Sequence, residues 1–268
     1  MQTDKLRSTV RALRPLIHCI TNPISINQCA NVILAAGARP MMAEHPGEAA
    51  LITKSAGAVM LNLGNFTDIR GTSMRISAET AVQHGIPFLL DVCGAACLPG
   101  RRDYALRLAG DFLPAVIKGN YSEITALHHS TYSASGVDAD SSITQADAEQ
   151  SAAALARRLG TVILASGQTD IVTDGKRLIR IRNGTPQLAS VTGTGCMQGA
   201  LCAAYLSAGA PMDAAAAACT VFGICGELAE TDKGSGTFSV LLMDALSTVT
   251  DSVIQSRTEI EETAVETA

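Results

Sequence analysis

Val191-Thr192-Gly193-Thr194-Gly195-Cys196 runs directly into Met197-Gln198-Gly199-Ala200-Leu201-Cys202-Ala203-Ala204-Tyr205-Leu206. The second run stays small and apolar for several turns without a proline, so it reads as a helix with the glycines at its N-terminus. A helix start is an anion site. Its first N–H groups lack intrahelical partners, the macrodipole adds positive potential, and glycine lets a phosphate approach the main chain. Cys196 falls in the first turn, where a thiol is expected to be acidified and developing negative charge stabilised. A glycine-rich turn with a buried cysteine would look the same in isolation, so the flanking chain has to decide.

Upstream, helix and strand alternate. Leu6, Val10 and Leu13 give residues 4–13 a helical spacing that Pro15 closes. Residues 16–20 read as a strand that delivers Thr21-Asn22-Pro23 to a loop, and Ser25 as the cap of a helix running to Gly37. After a short extended piece at 39–43 come a helix at 47–55 and a strand at 58–63 that ends in Asn62-Leu63-Gly64-Asn65. The pattern repeats as helix 72–84, strand 87–90 with Asp91 at its end, and helix 101–108. Strand 115–117 then ends at Lys118-Gly119-Asn120, with Glu123 in the first turn beyond.

The Ser/Thr/Gly/Asp run between about 128 and 142 reads as a loop. Helix 144–159 feeds strand 161–164, which ends at Ser166-Gly167, and Asp174-Gly175 between 170–173 and 177–182 is a hairpin signal. Beyond the glycine motif the chain is nearly all helical to about residue 253, and Glu259, Glu261, Glu262 and Glu266 mark the last residues as a frayed acidic tail. The expectation is therefore one domain over 1–254 and a disordered tail over 255–268. It is an α/β domain with a mostly parallel central sheet, helices on both faces and no separate lid. Such sheets bind ligands outside the carboxyl ends of their strands. Asn62, Asp91, Lys118, Glu123, Ser166 and the glycine motif all fall on that edge.

Composition narrows the partners. Among 268 residues, 47% are hydrophobic, 17% charged and 3% aromatic, with no tryptophan, so Ala, Val, Leu and Ile must build the core. The apolar surplus favours oligomerisation. A net charge of −5 without basic patches argues against nucleic acid or an anionic membrane. Eight cysteines scattered through apolar segments read as reduced core residues, and no CxxC or nearby His completes a zinc set. The N-terminus is polar, and the Ala-rich 212–228 carries Asp213 and Glu227, so neither a signal peptide nor a membrane span is expected. A cytoplasmic location follows.

Asp91 and Glu123 are oxygen ligands of the kind that magnesium takes together with substrate phosphates; alternatively, one caps a turn and the other complements a helix dipole. Lys118 could neutralise a phosphate or simply be solvated, and Ser166 could bind a phosphate or end a strand. No G-x-x-x-x-G-K-[ST] sequence occurs, so this is not a P-loop enzyme. The five histidines show no triad spacing.

Several motifs together resemble hydroxyethylthiazole kinases: Ile20-Thr21-Asn22-Pro23-Ile24-Ser25-Ile26-Asn27-Gln28-Cys29-Ala30-Asn31, Ala38-Arg39-Pro40-Met41-Met42-Ala43 and Leu61-Asn62-Leu63-Gly64. Leu90-Asp91, Lys118-Gly119-Asn120-Tyr121-Ser122-Glu123-Ile124 and the glycine motif agree in order and spacing. The resemblance implies a ribokinase-like fold and ATP-dependent phosphorylation of a methylthiazole's hydroxyethyl group in thiamine salvage. It also implies a homotrimer with interfacial active sites. Carried over by position, Met42 and Gly193 touch the thiazole with Asn22 and Asn27 nearby, Lys118 and Ser166 the nucleotide, and Asp91 and Glu123 the Mg2+. Gly193, Thr194, Gly195 and Cys196 form the catalytic turn, in which Cys196 orients the hydroxyl and accepts its proton late.

This chain departs from the family pattern in two places. Lys118 stands where arginine is expected, which loses the planar fork, and the proline expected after Asp91 is missing from Val92-Cys93-Gly94-Ala95-Ala96-Cys97. Three rival readings remain open: a kinase for a pyrimidine or pyridoxal vitamer, an ATP-dependent dehydratase that repairs hydrated nicotinamide cofactors, and a silent binding protein.

Overall fold

The computed structural model describes residues 3–129 and 143–265. Most of the run read as a loop at 128–142 lies outside them. Among the described residues the strands form a single nine-stranded sheet in the order β2-β1-β3-β4-β5-β6-β7-β8-β9. β1 (Leu16–Ile20), β2 (Arg39–Met41), β3 (Ala58–Asn62), β4 (Phe88–Asp91), β5 (Val116–Asn120) and β6 (Val162–Ser166) run parallel. β7 (Asp170–Thr173), β8 (Arg177–Ile181) and β9 (Ile260–Ala264) add an antiparallel edge. The central strands are continuous apolar runs because helices cover both of their faces.

On one face pack α1 (Thr3–Leu13), α2 (Ile26–Ala35), α8 (Thr194–Leu206), α9 (Pro211–Leu228), α10 (Ser235–Thr248) and α11 (Asp251–Arg257). The other carries α3 (Pro46–Lys54), α4 (Asp68–Gln83), α5 (Pro99–Phe112), α6 (Tyr121–His128) and α7 (Gln145–Leu159). Every residue of α8 from Cys196 to Leu206 is buried, as expected for a helix apolar on all sides. Leaving β1, the chain goes outward to β2 and then crosses back to β3 on the other flank. The strand order therefore reverses between β1 and β3, and a crevice opens at their carboxyl ends.

The acidic tail departs from the sequence expectation. Ile260–Ala264 is a strand and not frayed chain, so the folded unit continues past residue 254. The physical reason is charge complementarity across an edge. Arg180 is held by Glu149, at 2.7 Å from Nε, and by Glu261 and Thr263, while Arg182 pairs with Glu261 and Arg177 with Glu262. β9 thereby satisfies the free main-chain groups of β8. The Asp174-Gly175 hairpin forms as expected, with Gly175 at φ 85° and Asp174 accepting from the Lys176 and Arg177 amides. Ser25 occupies the N-cap position of α2 but makes no capping hydrogen bond with its side chain.

Candidate active site

Parallel register builds the floor of the site. Asn62 lies beside Asp91 and Asp91 beside Lys118, so the ends of β3 and β4 and the middle of β5 set the three in one row. Side chains alternate along a strand; Met60, Leu89 and Val116, two residues before them, belong to the core layer under α8, so the row faces α8 as well. α8 lies tight on this row. A Cβ at Gly199 would meet Met60 Cε at 3.0 Å and Asp91 Oδ2 at 3.2 Å, and one at Gly195 would stand 3.4 Å from Lys118 Nζ. Gly193 caps the helix at φ 91°, where an added Cβ would also reach within 2.9 Å of Ser25 Cβ. Glycine is required there for both reasons.

Lys118 Nζ donates to Asp91 Oδ2 at 3.2 Å, and both side chains are buried. Burial pushes the Asp91 carboxyl up, while Lys118 and the Cys93 amide oppose the rise. Burial also works against the Lys118 ammonium, but the surrounding Asp91, Cys196 and Glu123 outweigh it and keep the lysine charged. Glu123 closes a capping box with Asn120 at the start of α6, and its other oxygen accepts from Gly94 N at 2.7 Å. Burial and the charge of Asp91 raise its pKa to about 7. One ammonium thus faces two buried carboxylates.

Cys196 sits at the switch point. Its Sγ accepts from Asn62 Nδ2 at 3.2 Å and from Asn22 Nδ2 at 3.4 Å. The backbone fixes the orientation of both amides. Gly64 N donates to Asn62 Oδ1 at 2.7 Å, while Ile24 N and Ser25 N donate to Asn22 Oδ1 at 3.1 and 3.0 Å, so in each residue the NH2 end must face the sulfur. The expected acidification of the thiol is corrected here. Burial, then the charge of Asp91, push the Cys196 pKa up despite hydrogen bonds from Ser25 and Asn22. At rest the group is a thiol.

Ser166 ends β6, donates to Gly119 O at 3.3 Å, and opens a cleft of about 850 Å³ that Thr169, Asp170, Thr194, Gly195 and Gln198 also line. Met42 is half-buried against the α8-side core just past β2. Asn27 is not brought to Cys196; it lies exposed on α2 and accepts from Asn31. Six cysteines are buried and unpaired, while Cys93 and Cys97 are half-buried rather than core.

Other features of the site carry little signal in the sequence pattern. Asn62 was legible only as a polar residue at a strand end, and its bond to a sulfur 134 positions away was not. Asp170, buried beside the cleft, takes hydrogen bonds from Gly167 N and Gln198 Nε2, which tie the loop after β6 to α8. Arg70, buried in α4, donates to the carbonyls of Thr21, Gly64 and Asn65 and braces both crevice loops. An arginine on a helix gives no such signal in sequence.

The hydroxyethylthiazole kinase family profile matches residues 7–252. A hydroxyethylthiazole kinase 2 of Clostridium botulinum is 41% identical over 261 residues, covering 96% of this chain and 98% of its own. The structure of a hydroxyethylthiazole kinase protein from Pyrococcus horikoshii superposes with a TM-score of 0.90 at 33% identity, covering 97% of this chain and 98% of that one. A ribokinase-like superfamily protein of Enterococcus faecalis, at 13% identity and a TM-score of 0.66 over 96% of this chain and 95% of that one, shares the fold alone.

Proposed function

Because the chain belongs to the hydroxyethylthiazole kinase family, we propose that it transfers the γ-phosphoryl group of ATP to the hydroxyl of 4-methyl-5-(2-hydroxyethyl)thiazole, giving the thiazole phosphate and ADP in thiamine salvage. The observation that carries this reading is the Cys196 sulfur held by two amides at the N-terminus of α8, at the sheet's switch point. ATP occupies the cleft beside Ser166, with its phosphates directed at the free amides of Thr194, Gly195 and Cys196. The thiazole fills the crevice between Asn22, Met42 and Gly193. Lys118 supplies fixed positive charge under the phosphates.

Asp91 and Glu123 are oxygen donors that burial and mutual repulsion make reluctant to ionise together beside one ammonium, and a magnesium ion would offset that repulsion and favour both carboxylates, so the pair suits such an ion. When bound, the ion supplies charge neutralisation for the nucleotide phosphates.

Phosphoryl transfer through a loose transition state depends on positioning and charge more than on a base. Cys196, as a thiol, orients the hydroxyl. The new O–P bond forms as the bond to the β-phosphate oxygen breaks, and the hydroxyl proton leaves late to an oxygen of the transferred group, not to Cys196 as the sequence led one to expect, because the raised pKa of that sulfur keeps it protonated. Neither Asn27 nor an acidic thiol is needed. Eight unpaired thiols suit a reducing compartment, and the cytoplasm is the proposed location. The test is ADP formation across a panel of vitamin alcohols with phosphorylated product identified by mass. Product from the thiazole alone supports the reading; turnover confined to pyridoxal, a pyrimidine or hydrated NADH would replace it.

A further inference from the structure

His18 lies in the middle of β1, fully buried, on the face away from α8. Its ring bridges two places. Nε2 stands 3.0 Å from Ala43 O and Nδ1 stands 2.9 Å from Thr53 Oγ1, which in turn is 2.9 Å from Ser77 Oγ. A carbonyl only accepts, so the proton is on Nε2 and Nδ1 accepts from a hydroxyl. Burial lowers the pKa of the ring, consistent with a neutral imidazole.

A buried histidine with partners is ordinarily just a satisfied core residue. Here its bond reaches a segment that has left the ladder of the sheet. β2 is a three-residue edge strand that leaves the ladder after Met41, so the carbonyls beyond have no strand partner. Two in succession are instead held by side chains: Ala43 O by His18, and Glu44 O by Ser73 Oγ at 2.7 Å. The Glu44 carboxylate also reaches Arg70 at 3.4 Å. Met42 immediately precedes this anchored pair. The neighbours on the same sheet face, Ile20, Val59 and Leu61, are apolar, and replacing a whole buried hydrogen-bonded set by apolar groups of similar shape costs little. Stability alone therefore gives weak reason for the imidazole.

We propose that His18 is a positioning residue for the thiazole wall: by fixing the Ala43 carbonyl it sets the backbone that presents Met42 to the substrate. This rests on the reading above that Met42 touches the thiazole. The test compares His18→Gln, whose amide can donate to Ala43 O as Nε2 does, with His18→Asn, which places its polar atoms near Nδ1 and cannot reach that carbonyl. Met42→Ala runs beside them. His18→Asn should raise KM for the thiazole about tenfold, the effect of losing about 1.4 kcal/mol of binding, with KM for ATP and kcat little changed, and His18→Gln should stay near the parent. Equal thiazole KM in the two His18 variants, or parallel changes in both substrates' KM, would overturn the assignment. If Met42→Ala leaves the thiazole KM unchanged, the wall itself is misassigned and the inference falls with it. A raised KM in Met42→Ala without one in His18→Asn defeats the role of His18 alone.

Discussion

Cys196 receives two amide N–H groups and is itself a poor base, so its replacement separates orientation from proton transfer. In Cys196→Asp a carboxylate oxygen would meet the Asn22 and Asn62 amides already aimed at that point, and a base would be added; kcat should match or exceed the parent. Cys196→Ala loses the orienting group but keeps the helix terminus and Lys118, so activity should fall roughly ten- to a hundredfold and remain measurable, below the upper range for a lost general base. Steady-state assays of both variants check this, together with mass spectrometry of acid-quenched parent enzyme, where a stoichiometric adduct on Cys196 would establish a covalent route instead. His18 supplies a pH prediction. Its pKa is lowered from 6.5 by burial, so below that pH the unfolded chain binds a proton that the folded chain refuses. Its contribution leaves stability intact above pH 6.5 and erodes it as the pH falls, by at most about 1.4 kcal/mol per pH unit from this group. Urea unfolding at pH 7 and 5.5 should show a smaller loss in His18→Gln than in the parent.

Within the elements, α9 shows how a glycine can oppose its own helix. Alanine at Gly223 would gain about 1 kcal/mol of helix propensity, yet its Cβ would lie 2.4 Å from Asn183 O. That backbone cannot yield easily, because the Asn183 side chain is tied to Glu227 Oε1, Arg257 O and Glu259 N at 3.0, 2.8 and 2.9 Å. Overlap costs about 1–3 kcal/mol or more, so Gly223→Ala should be net destabilising by denaturant unfolding, and an unchanged midpoint would show that the segment gives way. The same contrast separates what the sequence revealed from what it did not. Apolar runs with polar ends revealed the parallel strands, and the row Asn62, Asp91, Lys118 followed once adjacent strands were in register. The hairpin was readable in Asp174-Gly175. β9 was not, because its stability comes from arginines some eighty positions earlier in the chain and not from its own hydrophobicity. The Cys196 thiol was misjudged for a related reason: a helix terminus is a local feature, whereas the Asp91 carboxylate and the burial that outweigh it are set by the fold.

At the scale of the whole molecule, the crevice at β1 and β3 lies one strand in from the β2 edge of the sheet. All strands among the described residues lie in one sheet, so no second strand layer closes over this edge. A phosphoryl group in transfer must be shielded from water. The neighbouring elements expose large apolar side chains: Ile24 at 61%, Leu34 at 55% and Met41 at 40%, with Leu51 at 71% on α3. Leaving these in water costs roughly 25 cal/mol per Å² of apolar area, and a second copy of the chain placed over them would both cover that area and wall the crevice. The proposed assembly is a homotrimer in which each thiazole site is completed by a neighbour. Ile24→Glu and Met41→Glu put a charge into the predicted contact while leaving Cys196, Lys118 and the nucleotide cleft untouched. They should shift the mass by light scattering from trimer to monomer and raise KM for the thiazole far more than KM for ATP. A parent enzyme that is monomeric and fully active at assay concentration would rule out the shared site, and monomeric variants with unchanged thiazole KM would show that the neighbour covers surface without completing the pocket.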